Sequence, residues 1–226
     1  MIWDDIIPEQ DKEIFARGGY GRKYELGRKP ALLLIDFTYE FTGWAPVPVL
    51  QAQNDFPTAC GENAWQAAGF TRQLLEAARR KGLPIVYTRV DRDYKANPYD
   101  QKKNLDTGRK PLSNNDRATQ IIDELRPGEG EPVVSKIAPS AFWGTPLVSY
   151  LIKNQIDTLI VAGGVTSGCV RASVNDAFSL GYKICLVEDC VFDRGEASHK
   201  VNLWDMNAKQ ANVVGLAEAL EYIGQF

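Results

Sequence analysis

The chain repeats one rhythm: short, mainly apolar runs separated by longer segments of helical spacing. The first run, Pro30-Ala-Leu-Leu-Leu-Ile-Asp36, has no polar residue before its last position, the mark of a strand buried on both faces. Residues 61–81 follow helical spacing, with Trp65, Ala68, Leu75 and Ala78 on one side and Gly82 as the stop. Further strands are predicted at 83–88, 131–136, 157–162 and 182–188, and a short sixth at 211–214. Helices are predicted at 116–125, 147–154, 169–180, 198–210 and 216–223. Strands alternating with helices in this way predict an α/β fold, a parallel sheet wrapped on both faces.

Outside that rhythm the chain is irregular in three places. Residues 1–28, Gly-rich around Arg17-Gly-Gly-Tyr-Gly-Arg22, read as an arm without regular structure. Its aromatics (Trp3, Phe15, Tyr20, Tyr24) suit packing on another subunit, and residues 29–226 read as one domain. Segments 42–60 and 89–115 read as long loops, which in compact domains are commonly functional or mobile.

Composition removes whole classes of function. The 226 residues carry a formal charge of −3, so no global field attracts nucleic acid or anionic lipid. No apolar run approaches the ~20 residues that span a bilayer. The acidic N-terminus lacks the basic start of a signal peptide. The four cysteines form no Cys-x-x-Cys, and reduced thiols in the cytoplasm are expected. The single histidine, His199, rules out a zinc site of several imidazoles.

In open parallel sheets, ligands bind beyond the carboxyl ends of the strands, where the strand order reverses. Three residues at such ends stand out. Asp36 closes an otherwise apolar strand, where a helix cap or a buried salt bridge is the plainer alternative. Lys136 ends the third strand, where an ordinary snorkelling lysine is the alternative. Cys169 follows Gly163-Gly-Val-Thr-Ser-Gly168 at a helix start, a place that lowers a thiol pKa from ~8.5 toward neutrality. Cys60, Cys185 and Cys190 lack such a turn and read as small buried hydrophobes. Nucleotide motifs fail here. Gly-x-Gly-x-x-Gly needs glycine where Val165 stands, and the P-loop needs lysine where Cys169 stands.

Four segments in order carry a resemblance: Arg28-Lys-Pro-Ala-Leu-Leu-Leu-Ile-Asp36, Ser135-Lys-Ile-Ala-Pro-Ser-Ala-Phe-Trp-Gly-Thr145, Gly163-Gly-Val-Thr-Ser-Gly-Cys-Val-Arg-Ala-Ser173 and Glu188-Asp-Cys-Val-Phe-Asp-Arg194. The chain resembles the isochorismatase-like cysteine hydrolases, and within them the N-carbamoylsarcosine amidase group, over roughly residues 15–225. The resemblance implies a six-stranded parallel sheet ordered 3-2-1-4-5-6, with a triad of Asp36, Lys136 and Cys169. It also implies a cis peptide at Gly164–Val165 and an oxyanion hole from the N–H groups of Val165 and Cys169. Many relatives carry threonine where Val165 stands, which removes a hydroxyl but keeps a backbone donor.

The implied activity is hydrolysis of a small amide or N-carbamoyl (ureido) compound through a cysteine thioester, with release of ammonia. Arg194, by resemblance, binds a substrate carboxylate. Arg171 is a second candidate, and Phe41, Trp44, Phe142 and Trp143 are candidate pocket walls. N-carbamoyl amino acids or maleamate-like monoamides suit two arginines best. An uncharged ureide such as biuret or triuret, a lactam, or a non-catalytic ligand-binding member of the fold are the alternatives. Nicotinamidases of the superfamily hold a metal through Asp-x-His, which this chain lacks, so no metal or other cofactor is expected. True isochorismatases lack the nucleophilic cysteine, so that reaction is not expected here. Relatives are commonly dimers or tetramers, and a homo-oligomer is the expectation.

Overall fold

A computed structural model describes residues 1–94 and 111–226. Six parallel strands form one sheet: β1 (Pro30–Ile35), β2 (Ile85–Val90), β3 (Val133–Lys136), β4 (Thr158–Gly164), β5 (Lys183–Phe192) and β6 (Asn212–Val214). Their order is β3-β2-β1-β4-β5-β6, as the resemblance implied. The helices are α1 (Glu9–Arg17), α2 (Tyr39–Thr42), α3 (Val49–Ala52), α4 (Glu62–Arg80), α5 (Leu147–Lys153), α6 (Arg171–Ser179), α7 (Glu196–Lys209) and α8 (Leu216–Gly224).

The unbroken apolar run of β1 now has its reason. Leu32 and Leu34 face one core with Leu74 of α4 and Ile223 of α8. Ala31, Leu33 and Ile35 face a second core with Leu151 of α5, Val174 of α6 and Leu203 of α7. Each fully buried leucine contributes about 1.5–3 kcal/mol, so a polar residue on either face of β1 is costly.

The structure departs from the sequence reading in several places. Residues 116–125 are two 3-10 turns, Arg117–Thr119 and Asp123–Leu125, rather than one helix. Their backbone bonds to a distant segment instead: Ile122 N–H donates to the Phe37 carbonyl, and Ile121 bridges Thr38. The N-terminal arm contains α1. It packs on its own chain, where Trp3 and Ile7 enter the second core and Phe15 stacks on Trp204 of α7 at 4.4 Å. Segment 42–60 holds the short helix α3, and residues 95–110 of segment 89–115 lie outside the described residues.

Strand β5 runs four residues past its predicted end. Its partners on β4 jump from Leu186 opposite Val161 to Val191 opposite Gly163. That bulge carries Asp193 and Arg194 to the carboxyl edge, beside the turn that follows β4.

Candidate active site

Strand order places β1 beside β4, and the approach is close. A Cβ on Gly163 would stand 2.0 Å from the Ile35 carbonyl oxygen, and one on Gly164 would stand 2.2 Å from the Phe192 ring. Gly163 also has φ +121°, a conformation that side chains oppose. These two glycines let Asp36, just beyond β1, meet the loop after β4. Asp36 itself adopts φ +52°, unusual for a residue with a side chain and concentrated at functional positions.

Asp36 is fully buried. Thr88 of β2 donates its hydroxyl to Asp36 Oδ1 at 2.7 Å. Oδ2 lies 2.8 Å from Lys136 Nζ. That contact is an ion pair without the alignment of a hydrogen bond, and among the described residues Oδ2 has no hydrogen-bond partner. Lys136 sits at the end of β3, two strands away. With strands ~4.8 Å apart, only a long side chain spans the gap. Lys136 is 1% exposed, so removing either partner would leave an unpaired buried charge, at a cost of about 3–5 kcal/mol.

The same ammonium lies 3.3 Å from Cys169 Sγ and 3.3 Å from the Ala138 carbonyl. The Asp36 charge acts on the thiol as well, so all three residues converge on the Lys136 ammonium. Cys169 lies in a π-turn, Thr166–Val170, that leads directly into α6. The sequence expectation of a lowered thiol pKa is reversed. Burial first, and then the Asp36 carboxylate, push the thiol up to about 12, against the pull of Lys136. Burial also works against the Lys136 ammonium, but Asp36 and then Cys169 more than offset it, so its pKa stands above the ordinary value. The resting sulfur is therefore a thiol beside a charged ammonium. A thiol in this state becomes a nucleophile when the carboxylate beside it accepts its proton.

The Gly164–Val165 peptide is cis. The Val165 carbonyl accepts Gly168 N–H at 2.9 Å and Val170 N–H at 3.2 Å, which closes the turn around Cys169. Among the described residues the Val165 N–H has no backbone acceptor.

The remaining candidates divide. Arg194 is anchored by its backbone to Asp193 Oδ1 and by Nη2 to the Thr58 carbonyl at 2.7 Å. Its buried Nε has no partner among the described residues. Arg171 is turned away. It binds Asn202 at 2.8 Å and lies 3.7 Å from Asp205 on α7, with its side chain 54% exposed. Phe41 is buried in the first core, and Phe142 packs toward Tyr182 in the second. Trp44 is half exposed between Tyr39 and Phe56, and Trp143 is exposed.

Sequence reasoning missed Thr88 and Glu40. Glu40 is 1% exposed and pairs with Arg92 just beyond β2. Burial raises its pKa, against the Arg92 charge, and its Oε1 has no partner among the described residues. The signal for Thr88 was a polar residue ending an apolar strand. Glu40, one turn past Asp36, gave no comparable signal.

Comparison with known proteins agrees with this fold. The isochorismatase domain model matches residues 30–218. Maleamate amidohydrolase of Pseudomonas putida is 34% identical over 215 residues, 92% of each chain. N-carbamoylsarcosine amidase of Arthrobacter is 31% identical over 219 residues, covering 95% of this chain and 79% of that one. The solved structure of N-carbamoylsarcosine amidase from Thermoplasma acidophilum is 31% identical and superposes with a TM-score of 0.67, covering 84% of this chain and 97% of that one. From the sheet order, the strand-end residues and these matches together, the chain belongs to the isochorismatase family.

Proposed function

We propose that the chain is an amidohydrolase that opens the C–N bond of a small carboxylated amide or N-carbamoyl compound through a Cys169 thioester, releasing ammonia. The observation that carries the reading is the meeting of buried Asp36 and Lys136 with the partly buried Cys169 at the β1–β4 seam. Asp36 takes the thiol proton, and the Cys169 sulfur attacks the carbonyl carbon. The N–H groups of Val165 and Cys169 receive the oxyanion, a role in which one donor contributes about 3–4 kcal/mol. The C–N bond breaks, and the proton on Asp36 leaves with ammonia. Asp36 then takes a proton from water, the hydroxide opens the thioester, and the proton returns to sulfur. Lys136 keeps the neighbouring negative charge favourable throughout, whether it sits on carboxylate or thiolate.

Arg194 supplies the preference for a carboxylate. Its Nε, without a partner among the described residues, is a donor of a charged group already out of water, and a bidentate or single carboxylate contact satisfies it. An uncharged ureide would leave that charge unanswered. The names of the two curated relatives, a maleamate amidohydrolase and an N-carbamoylsarcosine amidase, agree with a small carboxylated substrate.

The test is ammonia release from N-carbamoylsarcosine, maleamate, ureidoacrylate, biuret and triuret. Turnover is expected among the three carboxylated compounds and is expected to vanish in Cys169→Ala with the fold retained. No ammonia from any of the five, or undiminished release by Cys169→Ala, would contradict the reading.

A further inference from the structure

The turn that carries Cys169 is gripped by residues outside the triad. Thr166 follows the Gly164–Val165 peptide, and its Oγ1 donates to the Phe192 carbonyl at 3.1 Å. The same oxygen lies 2.8 Å from Nδ1 of His199 on α7. A hydroxyl has one proton to give, and a carbonyl has none. With the Thr166 proton committed to Phe192, Thr166 accepts from His199, and Nδ1 carries the hydrogen. One residue on, the N–H and hydroxyl of Ser167 both donate to Asp193 Oδ2, at 2.8 and 2.6 Å. The end of β5 and the helix after it therefore hold two consecutive residues of the turn.

We propose that His199 is a positioning residue for the reaction: as a neutral Nδ1–H donor it holds, through Thr166, the turn whose N–H groups face the reacting carbonyl. The proposal rests on the oxyanion role assigned above. His199 touches neither the thiol nor the substrate, so it acts only through where Thr166 stands. Neutrality agrees with its surroundings. Burial lowers its pKa below the ordinary 6.5, against Asp193, which acts to raise it. A neutral imidazole can be held as either tautomer, and the second ring nitrogen normally decides which. Here the Thr166–Phe192 bond decides it.

Two measurements test this. The chain has one histidine, so a long-range 15N–1H spectrum of the folded protein contains a single imidazole. At neutral pH the expected spectrum shows a protonated Nδ1 and a bare Nε2. An Nε2–H tautomer overturns the proposal. This arm needs no substrate and stands even if the amidohydrolase reading fails.

The second measurement is kinetic. His199→Phe removes the donor and keeps the ring, whereas His199→Asn restores an N–H near the Nδ1 position. Misplacing a reacting group by about 1 Å costs on the order of 100-fold, so His199→Phe is expected to lower kcat about 10–100-fold with KM changed less than about twofold. His199→Asn is expected to recover most of that loss. Wild-type kcat in His199→Phe, or no recovery in His199→Asn, overturns the proposal. Should His199→Phe fail to fold, Thr166→Val cuts the same link and Thr166→Ser restores it. Where the double variant folds, it is expected to be no slower than the slower single variant, because both cut one chain of bonds. Multiplying losses overturn it.

Discussion

The two ends of the sheet both hold a cysteine whose pKa burial pushes to about 12, yet their chemistry differs. Toward the amino ends of the strands, beside α8, Cys185 lines a cleft of about 690 Å3 with Lys23, Tyr24, Glu218 and Tyr222. The polar groups there satisfy one another. Lys23 binds Glu218 at 2.6 Å, and the Tyr24 hydroxyl donates to the Gln210 carbonyl at 2.9 Å. At the carboxyl ends, Cys169 touches a buried ammonium and feels the charge of a buried carboxylate, and among the described residues Thr38 Oγ1, Glu40 Oε1 and Arg194 Nε have no partner. Buried polar atoms are ordinarily paired, so three unpaired ones just beyond β1 and β5 suit a ligand there, although Trp65 Nε1 and Glu188 Oε2 also lack a partner among the described residues. A large cleft and an elevated thiol do not make a reactive site. A proton acceptor already in contact with the sulfur does.

The sharpest way to break this contrast is to remove each sulfur in turn. Cys169→Ala is expected to lower turnover by on the order of 1,000-fold or more, the scale on which nucleophile deletions fall. Cys185→Ala is expected to leave turnover within about twofold and to reduce stability by about 0.5–3 kcal/mol in denaturant titration, as ordinary core substitutions do. Similar losses of turnover in both variants would end the comparison.

A middle-sized effect is expected at Arg194. A hydrogen bond to a charged group contributes about 1.5–3 kcal/mol, so Arg194→Ala is expected to lower kcat/KM for carboxylated substrates about 10–150-fold. Uncharged ureides are expected to change little. Equal effects on both classes would remove Arg194 from carboxylate recognition.

The smallest effect concerns pH. The folded His199 binds a proton less readily than an unfolded histidine near 6.5, so the unfolded state holds more protons as pH falls. Its contribution is fully present well above that value and is lost as pH falls through it. Asp193, Glu196 and Lys200 are the charged groups that act on it, the first two opposing the shift. Denaturation midpoints are expected to fall between pH 7.5 and 5.5, and to fall less in His199→Phe. Identical slopes would show that the histidine is not held neutral by the fold.

Much of this was legible in the chain. The run 30–36 reads as a doubly buried strand because both its faces are apolar, and the strand-end rule then singles out Asp36, Lys136 and Cys169. Contacts distant in sequence were not legible. Residues 116–125 look helical until Phe37 and Thr38 take their backbone bonds. Arg171 sits two residues from Cys169 but turns to α7, because helical geometry carries it off the site's face. The helix-start argument gave the wrong direction for the Cys169 thiol, because burial and the Asp36 charge act at shorter range than a helix terminus. Glu40 was invisible because its burial depends on Arg92, 52 residues later.

The central claim is that the sulfur of Cys169, deprotonated by Asp36, forms a bond to the substrate carbonyl. The most direct measurement is the mass of enzyme quenched in acid during turnover, followed by peptide mapping. The expected result is an adduct equal to substrate minus ammonia, located on Cys169 and absent from Asp36→Asn mixed with the same substrate. An adduct on another cysteine, or one that forms at the wild-type rate in Asp36→Asn, would contradict it.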